Sequence, residues 1–214
     1  MKQILVYADS LSWGIVPGTR ERQPFDRRWP GVLENKLDSP DRRVRIIEDC
    51  LNGRRTVWDD PFKPGRNGLQ GLAQRVEIHS PLALVILMLG TNDFQSMHPH
   101  NAWHSAHGVA TLVGAIRGAP VEPGMPVPCV LVVAPPPITE PQGLFARKFQ
   151  GGQTGCEGLA EAYSAVAAEL DCPFFDAGAL VTVSTVDSVH LDAGAQLQLG
   201  AAMARVVGPL FQEA

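Results

Sequence analysis

Tyr7-Ala8-Asp9-Ser10-Leu11-Ser12-Trp13-Gly14 continues, without a break, the apolar run Ile4-Leu5-Val6-Tyr7. That run is too short for a helix of its own and β-branched enough for a buried strand. A strand that enters a small-residue turn carrying Asp and Ser puts Ser10 at the carboxyl edge of a sheet. In open α/β sheets that edge is where ligands bind. A plain helix cap at Asp9 or Ser10 accounts for the same residues, so this stretch alone does not decide.

The other end of the chain carries Asp187-Ser188-Val189-His190. A serine hydroxyl is a weak nucleophile and needs a base within hydrogen-bond reach, itself oriented by a third group. With Asp187 and His190 three apart, a turn can set the carboxylate on one imidazole nitrogen and leave the other free to face Ser10. Two more small polar motifs lie between, Asn52-Gly53 and Gly90-Thr91-Asn92-Asp93, each after an apolar strand-like run. Gly53 offers a backbone N–H at close approach, and Asn92 a side-chain amide; both suit a developing oxyanion. Taken singly, each is equally a turn residue.

In this order the four motifs resemble the SGNH (GDSL-like) serine hydrolases, at Ser10, Gly53, Asn92 and Asp187/His190. The resemblance runs essentially end to end and is closest to the small arylesterase/acyltransferase branch. One position departs: the usual Gly-Asp-Ser-Leu reads Ala8-Asp9-Ser10-Leu11. Alanine fits only where the turn has room and a negative φ. The resemblance implies catalysis by Ser10, His190 and Asp187, with an oxyanion hole from the N–H groups of Ser10 and Gly53 and the amide of Asn92. It also implies that Trp13, Phe145, Phe149 and Val189 frame the substrate, and that the chain forms a homo-oligomer, for which an octamer is the family example.

Composition narrows the alternatives. A chain of 214 residues with 45% hydrophobic content suits one domain with a substantial core, here residues 1–214. Its 18 basic and 22 acidic residues are mixed along the chain, which argues against nucleic acid as a partner. No apolar run nears the roughly 18 residues of a membrane span. The start shows no signal-peptide pattern, so a cytoplasmic location is expected. Cys50, Cys129, Cys156 and Cys172 form no C-x-x-C pair, and neither disulfides nor a zinc site is indicated. No cofactor or metal is called for.

Along the chain, strands are expected at 4–7, 44–50, 82–89, 127–134 and 173–176, with helices between them at 29–37, 68–79, 100–117 and 156–170. A final helix is expected over 193–211. Alternating strands and helices imply right-handed crossovers and a parallel sheet covered on both faces, a flavodoxin-like three-layer α/β sandwich. The family resemblance supplies the strand order 2-1-3-4-5. His100, His104 and His107 fall at i, i+4 and i+7, a spacing that raises metal ligation, although no carboxylate or cysteine lies among them. Phe145 and Phe149, four apart, could line an acyl or aryl pocket or form a small satellite core.

These residues point to a serine esterase acting on short-chain acyl esters of aryl or small alcohols. The same site could serve acyl transfer to an alcohol or peroxide. A non-catalytic binding module on the same fold and a metal-dependent hydrolase are the rivals from other classes. A serine-reactive organophosphorus reagent separates the first of these, and a chelator the second.

Overall fold

In the computed structural model, which describes residues 1–210, the five strands are β1 (Lys2–Ala8), β2 (Val44–Cys50), β3 (Leu84–Met88), β4 (Cys129–Ala134) and β5 (Phe174–Asp176). All pair in parallel, in the order β2-β1-β3-β4-β5. The central strands read as near-continuous apolar runs because both sheet faces are covered. Successive side chains then go to opposite layers. Leu5, Tyr7, Val85, Leu87, Val130 and Val132 pack on one side with α3 (Leu72–His79), α4 (Ala102–Arg117) and α6 (Leu159–Glu169). Ile4, Val6, Leu84, Ile86, Leu131 and Val133 pack on the other with α2 (Trp29–Leu37) and α7 (Ala193–Leu210).

Ala8 is the last residue of β1, fully buried and hydrogen-bonded in register between Cys50 and Met88. Its φ is not positive, so the methyl group sits in an extended strand without strain. Two helices remain: α1 (Ser10–Trp13), directly after β1, and α5 (Gly152–Gly155).

Several boundaries differ from the sequence expectation. The helix expected over 156–170 starts only at Leu159, because the chain turns left-handed at Gly158 (φ 75°) just before it. Helix α3 starts at Leu72 instead of Gly68, and β4 at Cys129 instead of Val127, which is exposed. Helix α4 begins at Ala102 with Asn101 as its cap, so His100 is not on it and the three-histidine helical face does not exist. Phe211, the expected last residue of α7, lies outside the described residues. None of the described helices is long and apolar enough to cross a membrane.

Buried Gln196 of α7 ties the two ends of the chain together. Its Nε2 donates to the Leu11 carbonyl at 2.7 Å, and its Oε1 accepts the Trp29 N–H at 2.9 Å. The C-terminal helix is thereby fastened to the turn that carries Ser10.

Candidate active site

At the carboxyl end of β1 the chain leaves the sheet through Asp9, which is extended and caps α1 by accepting the Leu11 N–H at 2.9 Å. The cap role considered from sequence thus belongs to Asp9, and Ser10 becomes the first helical residue. The loop between β5 and α7 brings up the other half of the site. Asp187 folds it locally: Oδ1 accepts the backbone N–H groups of Val189 (3.1 Å) and His190 (2.9 Å). Oδ2 lies 2.8 Å from His190 Nδ1, and His190 Nε2 lies 3.1 Å from Ser10 Oγ. In the neutral tautomer that fits both contacts, Nδ1–H donates to Asp187 and Ser10 O–H donates to Nε2. Between the two residues Ser188 adopts φ 61°, an uncommon value for a non-glycine residue that narrows the turn.

All three side chains are at most 5% exposed. Burial pushes the Asp187 carboxyl up, but its hydrogen bonds from His190 and from the backbone outweigh this and hold it below the usual carboxylate range. The group therefore stays ionised beside the imidazole at neutral pH.

Gly53 follows β2 in the left-handed region (φ 85°) and lines the same cleft as His190 and Asn92. Among the described residues, neither its N–H nor that of Ser10 has a backbone or side-chain acceptor. Asn92 sits in a 3₁₀ turn (Thr91–Phe94) after β3. Its Nδ2 donates to Asp9 Oδ2 at 2.9 Å and to the Arg54 carbonyl at 3.1 Å, while Gln95 Nε2 donates to its Oδ1 at 2.8 Å. Both Asn92 amide hydrogens are thus engaged, and one would have to be shared to reach an oxyanion.

Burial raises the Asp9 carboxyl to about 6, against the opposing pull of its hydrogen bonds and nearby His190 and Arg54. A raised folded value means that the native state binds the extra proton between the unfolded value near 3.8 and about 6. Asp9 should therefore lower stability progressively as pH rises through that window and add no further dependence above it. Urea unfolding of Asp9→Asn between pH 4 and 7 should lack this component. An unchanged slope would refute the assignment.

Further residues hold these loops in place, among them Arg54, which sequence reasoning passed over. Arg54 lays its guanidinium 3.9 Å from the Tyr7 ring centroid, pairs with Asp49 at 2.6 Å and donates to the Ala8 carbonyl at 3.0 Å. Asp93 accepts from Thr56 N (2.9 Å), Thr56 Oγ1 (2.7 Å) and Ser105 Oγ (2.7 Å), an anchor and not a base. An arginine just after a strand-end glycine was the only available hint of the first. Gly90 (φ 128°) has Tyr163 Oη 2.3 Å from where a Cβ would stand. Gly90→Ala should destabilise the fold by about 3 kcal/mol, through overpacking and positive-φ strain, read as a lower urea midpoint. A midpoint equal to wild type would show that the hydroxyl can give way.

The cleft is lined by His190, Gly53, Asn92, Phe145 and Phe149, together with Ile15, Asn52 and the cations Arg20, Lys63 and Lys148. Its volume of about 40 Å³ is small beside the roughly 300–1,000 Å³ of sites for drug-sized ligands. The Phe145 ring meets His190 edge-on at 5.1 Å and Phe149 at 6.0 Å. Trp13 does not line the cleft: the Arg22 guanidinium lies 4.8 Å over its ring. Val189 is buried in the core beneath the sheet helices. A larger hollow of about 440 Å³, beside Pro137, Ile138 and Glu157, contains none of these catalytic candidates. His98 stacks on His100, which lies tilted against Trp58 and His104, with His104 edge-on to Trp58, and no metal-binding group of three or more His, Cys, Asp or Glu occurs among the described residues.

A serine, an imidazole and a carboxylate stand in hydrogen-bond sequence at the carboxyl edge of a parallel sheet, an arrangement that can support nucleophilic attack by a serine. Residues 9–205 match the GDSL-like lipase/acylhydrolase family. The chain belongs to that family, and the family supports a hydrolase acting on esters. Its fold matches the native M. smegmatis aryl esterase at 38% identity and TM-score 0.92, covering 98% of this chain and 100% of that one. The carbohydrate acetylesterase Est24 from Sinorhizobium meliloti matches at 36% identity and TM-score 0.92, over 99% and 100% of the chains. A putative arylesterase from Agrobacterium tumefaciens matches at 38% identity and TM-score 0.87, over 98% and 100%. No curated protein sequence matches.

Proposed function

We propose that the chain is a serine esterase that hydrolyses short-chain acyl esters of aryl or small alcohols through an acyl-enzyme. The observation that carries this reading is the unbroken contact series from Ser10 Oγ through His190 to Asp187, at 3.1 and 2.8 Å. His190 Nε2 takes the Ser10 proton as Oγ attacks the ester carbonyl, then returns it to the departing alkoxide. Water, deprotonated by the same nitrogen, releases the acid and restores Ser10. Asp187 keeps the imidazole in the required tautomer and stabilises the imidazolium.

The free N–H groups of Ser10 and Gly53 support a two-donor oxyanion hole, and Asn92 joins it by sharing a hydrogen now held by Asp9 or the Arg54 carbonyl. Asn92→Ala should lower kcat by about 10²–10³. Steady-state turnover of p-nitrophenyl acetate gives the figure, and a loss under threefold removes Asn92 from the mechanism. The small cleft favours a short acyl group. For the reading as a whole, a serine-reactive organophosphorus reagent should label one residue, Ser10, in proportion to lost activity. Absence of label would favour a binding module.

Acyl transfer is a second reading, supported by the Phe145 ring against His190, which limits the water that can reach the acyl-enzyme from that side. Added alcohol should then divert acyl groups into a new ester. Self-association is also expected, since Phe62 and Leu144 are 82% and 89% exposed. A mass measurement in solution tests it.

A further inference from the structure

Three cations from three different loops meet at the cleft: Arg20 after α1, Lys63 after β2 and Lys148 before α5. Among the described residues none of the three forms a salt bridge, whereas the buried arginines nearby are paired, Arg28 with Glu48, Arg54 with Asp49 and Arg55 with Asp60. The whole chain carries a net charge of −4. A group of unpaired cations at one cleft is therefore a local reversal of the protein's sign.

These charges sense one another. Burial lowers the pKa of Lys63 and Lys148, and Arg20 lowers both further. The carboxylate that offsets both lysines is Asp60, already held by Arg55 at 3.5 Å and by the N–H groups of Phe62 and Lys63. An anion bound among the three would relieve this repulsion.

The position of the group relative to the chemistry indicates which half of an ester carries that anion. His190 returns its proton to the leaving oxygen, so the alcohol half lies on the His190 side, with Phe145 and Phe149. Lys148 belongs to that side, its ammonium 5.8 Å from the Phe149 ring centroid. We propose that the site selects aryl esters whose alcohol half bears a carboxylate-class anion, with Phe145 against the ring, backed by buried Phe149, and Arg20, Lys63 and Lys148 around the charge. This proposal rests on the esterase reading and narrows its substrate class.

The test compares acetate release from 4-acetoxybenzoate and from its neutral counterpart 4-acetoxybenzamide. Wild type should favour the anionic ester by about tenfold in kcat/KM at low salt, given what exposed ion pairs contribute. The preference should shrink as ionic strength rises and the Debye length falls toward 8 Å and below. Lys148→Gln should reduce the ratio about threefold, and the Arg20→Gln/Lys63→Gln/Lys148→Gln triple variant should bring it near one. A ratio near one in wild type, or one unmoved by the triple substitution, overturns the proposal. So does a preference confined to p-nitrophenyl hemisuccinate over p-nitrophenyl butyrate, which would put the charge on the acyl half. If wild type cleaves none of these esters, the esterase reading fails separately. Calorimetry of 4-hydroxybenzoate with Ser10→Ala then decides the anion site: binding that the three Gln substitutions abolish upholds it, and no binding ends it.

Discussion

Ser10→Ala, His190→Ala and the double variant are each expected to lower kcat on p-nitrophenyl acetate by about the same factor, of order 10⁶. The equality is the diagnostic part. Ser10 Oγ and His190 Nε2, 3.1 Å apart, handle one proton between them, so removing either disables the covalent route and removing both adds nothing. KM of Ser10→Ala should move little, because that truncation leaves the cleft walls at His190, Phe145 and Gly53 unchanged. The thermal midpoint of Ser10→Ala should stay near wild type, since the hydroxyl has no partner other than the imidazole. Residual activity above one part in a hundred in either single variant, or losses that multiply in the double, would mean that another group performs the attack.

Asp187→Asn should cost about 10⁴ in kcat while leaving the fold intact. Oδ1 of Asp187 is committed to two backbone N–H groups, so an asparagine keeps its oxygen there and turns its NH₂ toward His190 Nδ1. Two donors then face each other, and the imidazole moves its proton to Nε2, where it can no longer accept from Ser10. The same change removes an ionisable group held below its normal range. A depressed folded value stabilises the native state above the unfolded value, near 3.8, and the benefit is lost as pH falls through the folded one. Acid unfolding of Asp187→Asn should lack that component. Wild-type kcat in this variant would show that the carboxylate only shapes the loop.

The centre of the sheet was legible in the sequence because β1, β3 and β4 are buried on both faces and stand out as apolar runs; the edge strand β2, half-buried, still falls on 44–50 as expected. The order of the strands came through family resemblance, since local pattern carries no information on which strand neighbours which. Ser10, Asp187 and His190 could be found because the chemistry constrains spacing within the Asp-x-x-His turn. What surrounds them was not legible. Gln95 and Arg54 act through a carbonyl, an amide and an aromatic face, contacts that leave no periodic trace in sequence. Arg20, Lys63 and Lys148 lie in separate irregular loops, and only the folded chain shows that they share a cleft. The helix expected over 156–170 failed at Gly158 because its apolar spacing continues through a residue whose backbone does not. Trp13 was placed at the substrate by analogy, while in this chain its ring meets Arg22.

Gln196 reaches back 185 residues to the Leu11 carbonyl, and His190 back 180 to Ser10. Contacts of that separation form late, after the nearer strand pairings have shortened the loop between them. Until the segment from His190 to Gln196 has docked, Ser10 has no imidazole partner. The Ser10–His190 contact therefore exists only in a molecule whose two ends have closed on each other, and a partly folded copy lacks it.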